Sequence, residues 1–107
     1  MLSAATFTKL PARVRALTWG AADLAADIGA LGNRSPDGSF EFTCAYARSM
    51  CLLAAAAAGV AAIDTVDIEI RDGAAVERRA RDSRRQGFAG KMAIHPAQVA
   101  PIHAAFS

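Results

Sequence analysis

The stretch FTCAYARSMCLLAAAAAGVAAIDTVDIEI, residues 42–70, decides the fold class. From Phe42 to Ala58 no Gly or Pro interrupts a helix-forming run, and the one charge inside it is Arg48. A helix that is apolar nearly all round is expected to be buried, here pressed between a sheet and a further layer. Gly59 supplies the stop, because glycine enters the left-handed conformation without steric cost. Residues 61–70 are rich in β-branched side chains and read as a strand with an exit loop. A helix that feeds a buried strand in this way is half of a parallel βαβ unit.

The flanking segments repeat the pattern. Residues 14–19 (VRALTW) read as a buried strand running into Gly20, and residues 23–31 as a short helix weakened and closed by Gly29 and Gly32. Residues 33–39 (NRSPDGS) carry the turn chemistry of Pro, Asp and Gly in succession. Asp72 is placed to N-cap a helix over residues 74–86, in which Glu77 and Arg81 form an (i, i+4) pair and Gly87 ends the run. Residues 91–95 (KMAIH) predict a short strand ended by Pro96, and residues 97–106 a last helix. The alternation predicts an α/β fold with a parallel sheet, either a small three-layer sheet or part of a (β/α)8 barrel. In both, chemistry sits at the carboxyl ends of the strands, here residues 19–23, 66–72 and 95–98.

The length of 107 residues bounds the chain to one domain and falls well short of the roughly 250 residues of a whole barrel. With 53% hydrophobic and 21% charged residues, the chain is not a disordered one. About a quarter of it is alanine, which favours helix but buries little area, so a thin core is expected. Twelve Lys and Arg against ten Asp and Glu argue against a nucleic-acid binder. The cluster Arg78, Arg79, Arg81, Arg84 and Arg85 reads as the solvent face of an outer helix rather than a polyanion site. Cys44 and Cys51, seven residues apart on a helix, stand about 10 Å apart along its axis and cannot form a disulfide. Both read as small apolar groups of a reducing compartment. No secretory signal is visible and residues 50–63 are too short to span a bilayer, so a cytoplasmic chain without membrane contact is expected.

Five motifs follow one another in order: WGAADL at 19–24 with Asp27-Ile28-Gly29 after it, YAR at 46–48, IDTV at 63–66, and GFAGKMAIHPAQV at 87–99. Together they resemble the HpcH/HpaI aldolase and citrate lyase family, in particular its citrate lyase beta subunit-like CoA-ester lyases. The likeness runs from about residue 10 to residue 106 yet covers less than half of a family member. It implies that residues 1–107 are the C-terminal portion of a TIM (β/α)8 barrel domain, about three βα units of eight. The activity implied is a Mg²⁺-dependent carbon–carbon lyase acting on a CoA thioester of a hydroxy acid, releasing an acyl-CoA and an α-keto acid. A hard, oxygen-liganded cation suits that chemistry, since it would polarise the keto oxygen of the α-keto acid fragment and stabilise the corresponding alkoxide.

At residue level, Asp23 matches the family's metal-binding Asp, although an Asp after a strand is also a common helix N-cap. Trp19, Gly20 and Ala21, with Ile94, His95 and Pro96, match the substrate-lining segments; His95 has a second reading as a structural hydrogen-bonder. Ala22 stands where the family often has Glu. Among Asp64, Asp67 and Asp72 at most one is expected to face the pocket. Arg48 is expected to pair with a carboxylate. Lys91 is expected to be solvated or ion-paired, Asp27 to be a surface or capping residue, and no residue is singled out as catalytic. The resemblance also implies parts not matched here: a second metal carboxylate (a Glu), Arg residues that hold substrate and CoA, and a segment after the last barrel helix. An open three-strand parallel sheet is expected to leave both edges unpaired and one face of the apolar helix uncovered. The chain is therefore expected to be inactive alone and to associate with itself or with a complementary chain. A non-catalytic α/β interaction module is the alternative.

Overall fold

The structure, a computed structural model, describes residues 15–107. The start of the first predicted strand, at Val14, lies outside the described residues. Three strands, β1 (Ala16–Thr18), β2 (Ala61–Asp64) and β3 (Gly90–Lys91), form a parallel sheet in the order β1-β2-β3. Helices α1 (Ala21–Asp27) and α2 (Phe42–Ala58) connect β1 to β2, and α3 (Gly73–Gln86) connects β2 to β3. A 3-10 turn (Pro96–Gln98) leads into α4 (Val99–Phe106). This is the predicted α/β alternation, with the parallel sheet that helical crossovers impose.

The strands are shorter than predicted. β3 spans two residues rather than 91–95, because the Ile94 amide is taken by the side chain of Gln98 at 2.9 Å instead of by the ladder. Pro96, which has no amide hydrogen, opens the 3-10 turn immediately afterwards. α1 starts at Ala21 and stops at Asp27, four residues before the predicted end, and Gly29 follows with a φ of +71°. The carboxyl ends of the strands therefore fall at Thr18, Asp64 and Lys91.

Alternation along β2 sends Ala62 and Asp64 into the protein, while Ala61 and Ile63 are half-buried. Ala62 packs with Ala55 of α2 and with Phe88, and Leu17, Trp19 and Leu52 close around them. Among the described residues the buried apolar set is nearly all alanine, with Cys44, Val76 and Phe88 the exceptions. The core is thin, as the composition predicts, and buried polar groups share its interior: Asp64, Thr65, Asp67, Ser83 and Gln98. Asp72 caps α3 by accepting from the Ala75 amide at 3.1 Å, and Glu77 pairs with Arg81 at 3.2 Å. Cys44 is buried, Cys51 half-buried, and both are free thiols.

α2 is buried on one face rather than nearly all round, and its other face is uncovered, as expected beside an open three-strand sheet. Cys44, Ala47, Ala54 and Ala55 face the protein, but Phe42 is 81% exposed, Tyr46 54% and Leu53 60%, since no described element covers that face. The arginine cluster is a solvent face as expected, with all five members exposed, and two of them also reach groups outside α3. Arg79 reaches the buried Asp67 at 2.9 Å, and Arg84 donates to the carbonyls of Ala105 and Ser107 at the end of α4. Arg81 and Arg85 pair on the surface with Glu77 and Asp82. No helix among the described residues is long and apolar enough to cross a membrane.

Candidate functional site

A cleft of about 350 Å³ opens at the carboxyl ends of the strands. Thr18, Trp19, Gly20, Ala21 and Asp23 line it on the β1 side, and Thr65 and Met92 on the other. The turn from β1 into α1 builds its wall. Gly20, extended at φ −124°, accepts from the Leu24 amide through its carbonyl, and the Ala21 amide donates to the Thr65 hydroxyl at 3.2 Å. Asp23 sits in the first turn of α1, not at its N-cap, and its side chain makes no cap hydrogen bond. The carboxylate instead leans over Gly20, where a Cβ would lie 3.3 Å from Oδ2. Gly20 thus gives the carboxylate room. Asp23 is exposed, and no hydrogen bond to its carboxylate is found among the described residues.

Asp64, at the end of β2, is the opposite case. It is 1% exposed, and both oxygens are occupied. Oδ1 accepts from the Trp19 indole at 2.8 Å and from the Thr65 amide at 2.8 Å. Oδ2 accepts from Arg48 Nη2 at 2.8 Å and Ser83 Oγ at 2.6 Å, with Lys91 Nζ 4.0 Å away. Burial is the largest single influence on this carboxyl and pushes its pKa up. The hydrogen bonds from Arg48 and Ser83, with the Lys91 and Arg48 charges, outweigh it and hold the group below the usual carboxylate range. Burial likewise pushes the Lys91 ammonium below its ordinary value, with Asp64 and Asp67 opposing. Arg48 pairs with a carboxylate as predicted. Lys91 is the buried partner of an ion pair rather than a solvated side chain.

The remaining predicted residues fall elsewhere. Asp67 is buried against Arg79, Asp72 caps α3, and Asp27 is exposed at the end of α1. Ile94, His95 and Pro96 do not line the Asp23 cleft, so the structure gathers Trp19, Gly20, Ala21 and Asp23 but not this second group. His95 is exposed, and its Nδ1 accepts from the Ala97 amide at 3.0 Å, which caps the 3-10 turn. Gln98 is the residue that sequence reasoning missed. It is buried, its Nε2 donates to the carbonyls of Asp67 at 2.6 Å and Glu69 at 2.8 Å, and its Oε1 holds the Ile94 amide. Its place four residues after Ile94 in the densest motif of the chain was the available signal.

Whether the site suits a divalent cation follows from its donors. A free carboxylate beside a glycine, open to the cleft, suits one ligand position of Mg²⁺, a cation that keeps several waters and takes one or two protein carboxylates. No group of three or more His, Cys, Asp or Glu that could hold a metal occurs among the described residues. Among the described residues the lining of the cleft thus offers one carboxylate, that of Asp23.

A parallel α/β sheet with a cleft at the carboxyl ends of its strands and an open carboxylate after β1 defines an α/β protein of the three-layer or (β/α)-barrel class. The HpcH/HpaI aldolase/citrate lyase family pattern matches residues 5–96, and the chain belongs to this family. It is 37% identical over 90 residues to a citrate lyase subunit beta-like protein of Mycobacterium tuberculosis, covering 84% of this chain and 33% of that one. It is 38% identical over 92 residues to the mitochondrial citramalyl-CoA lyase of Homo sapiens, covering 86% and 26%. Among solved structures, the citrate lyase beta subunit of M. tuberculosis with oxaloacetate and magnesium superposes with a TM-score of 0.84 at 33% identity, covering 96% of this chain and 47% of the other. Such neighbours are TIM-barrel-like, which resolves the two architectures left open above. The chain spans about a third or less of the length of these two curated relatives.

Proposed function

We propose that this chain is the C-terminal portion of the barrel of a magnesium-dependent carbon–carbon lyase. Its substrate would be a CoA thioester of a hydroxy acid, of the citryl-, malyl- or citramalyl-CoA type, and its products an acyl-CoA and an α-keto acid. The observation that carries the reading is the Asp23 carboxylate, unpartnered among the described residues, at the carboxyl end of β1 in a chain of this family. Asp23 would hold Mg²⁺ through one oxygen. When bound, the cation would stabilise the alkoxide formed from the substrate hydroxyl and hold the keto oxygen that it becomes as the carbon–carbon bond breaks. Gly20 keeps the approach to Asp23 clear, Trp19 and Ala21 form the wall, and Thr65 fixes the turn through the Ala21 amide. A cytoplasmic location is part of the same reading.

The exposed apolar face of α2, with Phe42, Tyr46 and Leu53, favours a chain that works in association with itself or with a complementary barrel portion. One carboxylate gives a weak metal site, so the chain alone is expected to show no Mg²⁺-dependent cleavage of citramalyl-CoA or malyl-CoA. Co-expression with the N-terminal barrel portion of the M. tuberculosis relative tests the reading. Cleavage that appears only in the mixture and is abolished by Asp23→Ala supports it. Cleavage by the mixture that is indifferent to Asp23→Ala contradicts it.

A further inference from the structure

A second cleft, of about 520 Å³, opens between α2 and α3 on the helix-covered side of the sheet. Arg48, Asp64, Ser83 and Lys91 lie at its base, and Arg34, Arg78 and Arg79 line it. Five cations thus meet only two carboxylates in the lining, those of Asp64 and Asp82. Neither acid is free to balance the others. Asp64 is saturated by Arg48, Ser83 and Trp19, and Asp82 is engaged by Arg85 and Gln86. Arg79 contacts Asp67 through Nη1 alone, which leaves Nε and Nη2 with no hydrogen bond among the described residues. Arg34 and Arg78 make no ion pair among the described residues.

Neutral partners hold Arg34 in place: its guanidinium lies 3.9 Å from the centre of the Phe40 ring and donates to the Gly38 carbonyl at 2.7 Å. Phe40 is itself set by an edge contact with Trp19, ring centres 5.2 Å apart. Burial first, and then the charge of Arg79, push the Arg34 pKa below its ordinary value, with Asp67 and Asp64 opposing. The arrangement has the donors and the charge of an anion site.

We propose that this cleft binds a phosphate-type oxyanion, held by Arg34, Arg78 and Arg79. A phosphate has enough oxygens to be shared among three guanidinium forks, whereas a carboxylate has two. The volume admits the phosphate together with part of whatever carries it, so the source is either free phosphate or the phosphate of a nucleotide. The site does not depend on the lyase reading, because it shares no lining residue with the Asp23 cleft.

Calorimetric titration of the full chain with inorganic phosphate and with adenosine 3′,5′-bisphosphate, at constant ionic strength, tests it. Saturable binding is expected, weakened about tenfold by Arg34→Gln and again by Arg78→Gln, the loss of one charge-assisted contact each. Arg81→Gln removes the same charge from a position outside the cleft and should change the affinity less than about twofold. Tighter binding of the bisphosphate than of phosphate identifies a nucleotide as the source; equal binding identifies free phosphate. Absence of saturable heat with both probes, or an Arg81→Gln loss as large as that of Arg34→Gln, overturns the proposal. Circular dichroism of each variant checks the fold, and should Arg34→Gln unfold, Arg78→Gln on the exposed face of α3 decides alone.

Discussion

Asp23 and Asp64 occupy comparable places, each at the carboxyl end of a strand, and have opposite surroundings. Asp64 is buried and accepts from an indole, a guanidinium, a hydroxyl and an amide, so it has no lone pair left for a ligand. Asp23 is exposed, flanked by a glycine, and its side chain caps nothing. The first joins β1, β2, α2 and α3 into one body in a protein whose apolar core is mostly alanine. The second contributes little to that body. A carboxylate saturated by protein donors is structural, while one kept open at a strand end is available to chemistry.

The largest effect should follow from breaking the saturated side. Asp64→Ala leaves Arg48 and Lys91 buried without a counter-charge and is expected to cost about 3–5 kcal/mol, measured by urea denaturation. A cost below about 1 kcal/mol would mean that the network is not what joins the layers. The same group sets an acid limit. Its folded pKa lies below the unfolded value, so its contribution is fully present above about pH 4 and is lost as the pH falls through the lower folded value. Melting temperature should therefore drop below about pH 4, more steeply in the parent than in Asp64→Asn.

A smaller effect belongs to Gln98. Gln98→Ala strips partners from two carbonyls and one amide and should cost about 1–3 kcal/mol. Hydrogen exchange at the Ile94 amide should rise with it, and an unchanged Ile94 amide would show that another group holds that turn.

The alternation of elements was legible because Gly59 and Gly87 end helices just before β-branched or aromatic residues that pack on the sheet. Arg48 was legible as an ion-pair partner because a lone charge in an apolar helix must find one. Which Asp it would choose was not legible, since Asp64, Asp67 and Asp72 lie within nine residues and only the register of β2 sends Asp64 inward. Residues 92–95 read as the end of a strand because a strand and a braced turn place similar residues before a proline. Gln98 showed its role only once the carbonyls of Asp67 and Glu69 were seen beside it. The exposed face of α2 was legible, because an open three-strand sheet cannot cover both sides of an apolar helix; what covers that face was not, because hydrophobicity marks a surface that wants cover and not its partner.

The smallest effect on stability belongs to Asp23, and it carries the central claim. Asp23→Asn should change stability by less than about 0.5 kcal/mol. The direct measurement is a Mg²⁺ titration of the chain followed by backbone amide chemical shifts. The account predicts weak, saturable shifts centred on residues 20–23, absent in Asp23→Asn, with the Thr65 amide beside Asp64 little affected. Shifts centred on Asp64, or shifts at residues 20–23 that persist unchanged in Asp23→Asn, would contradict it.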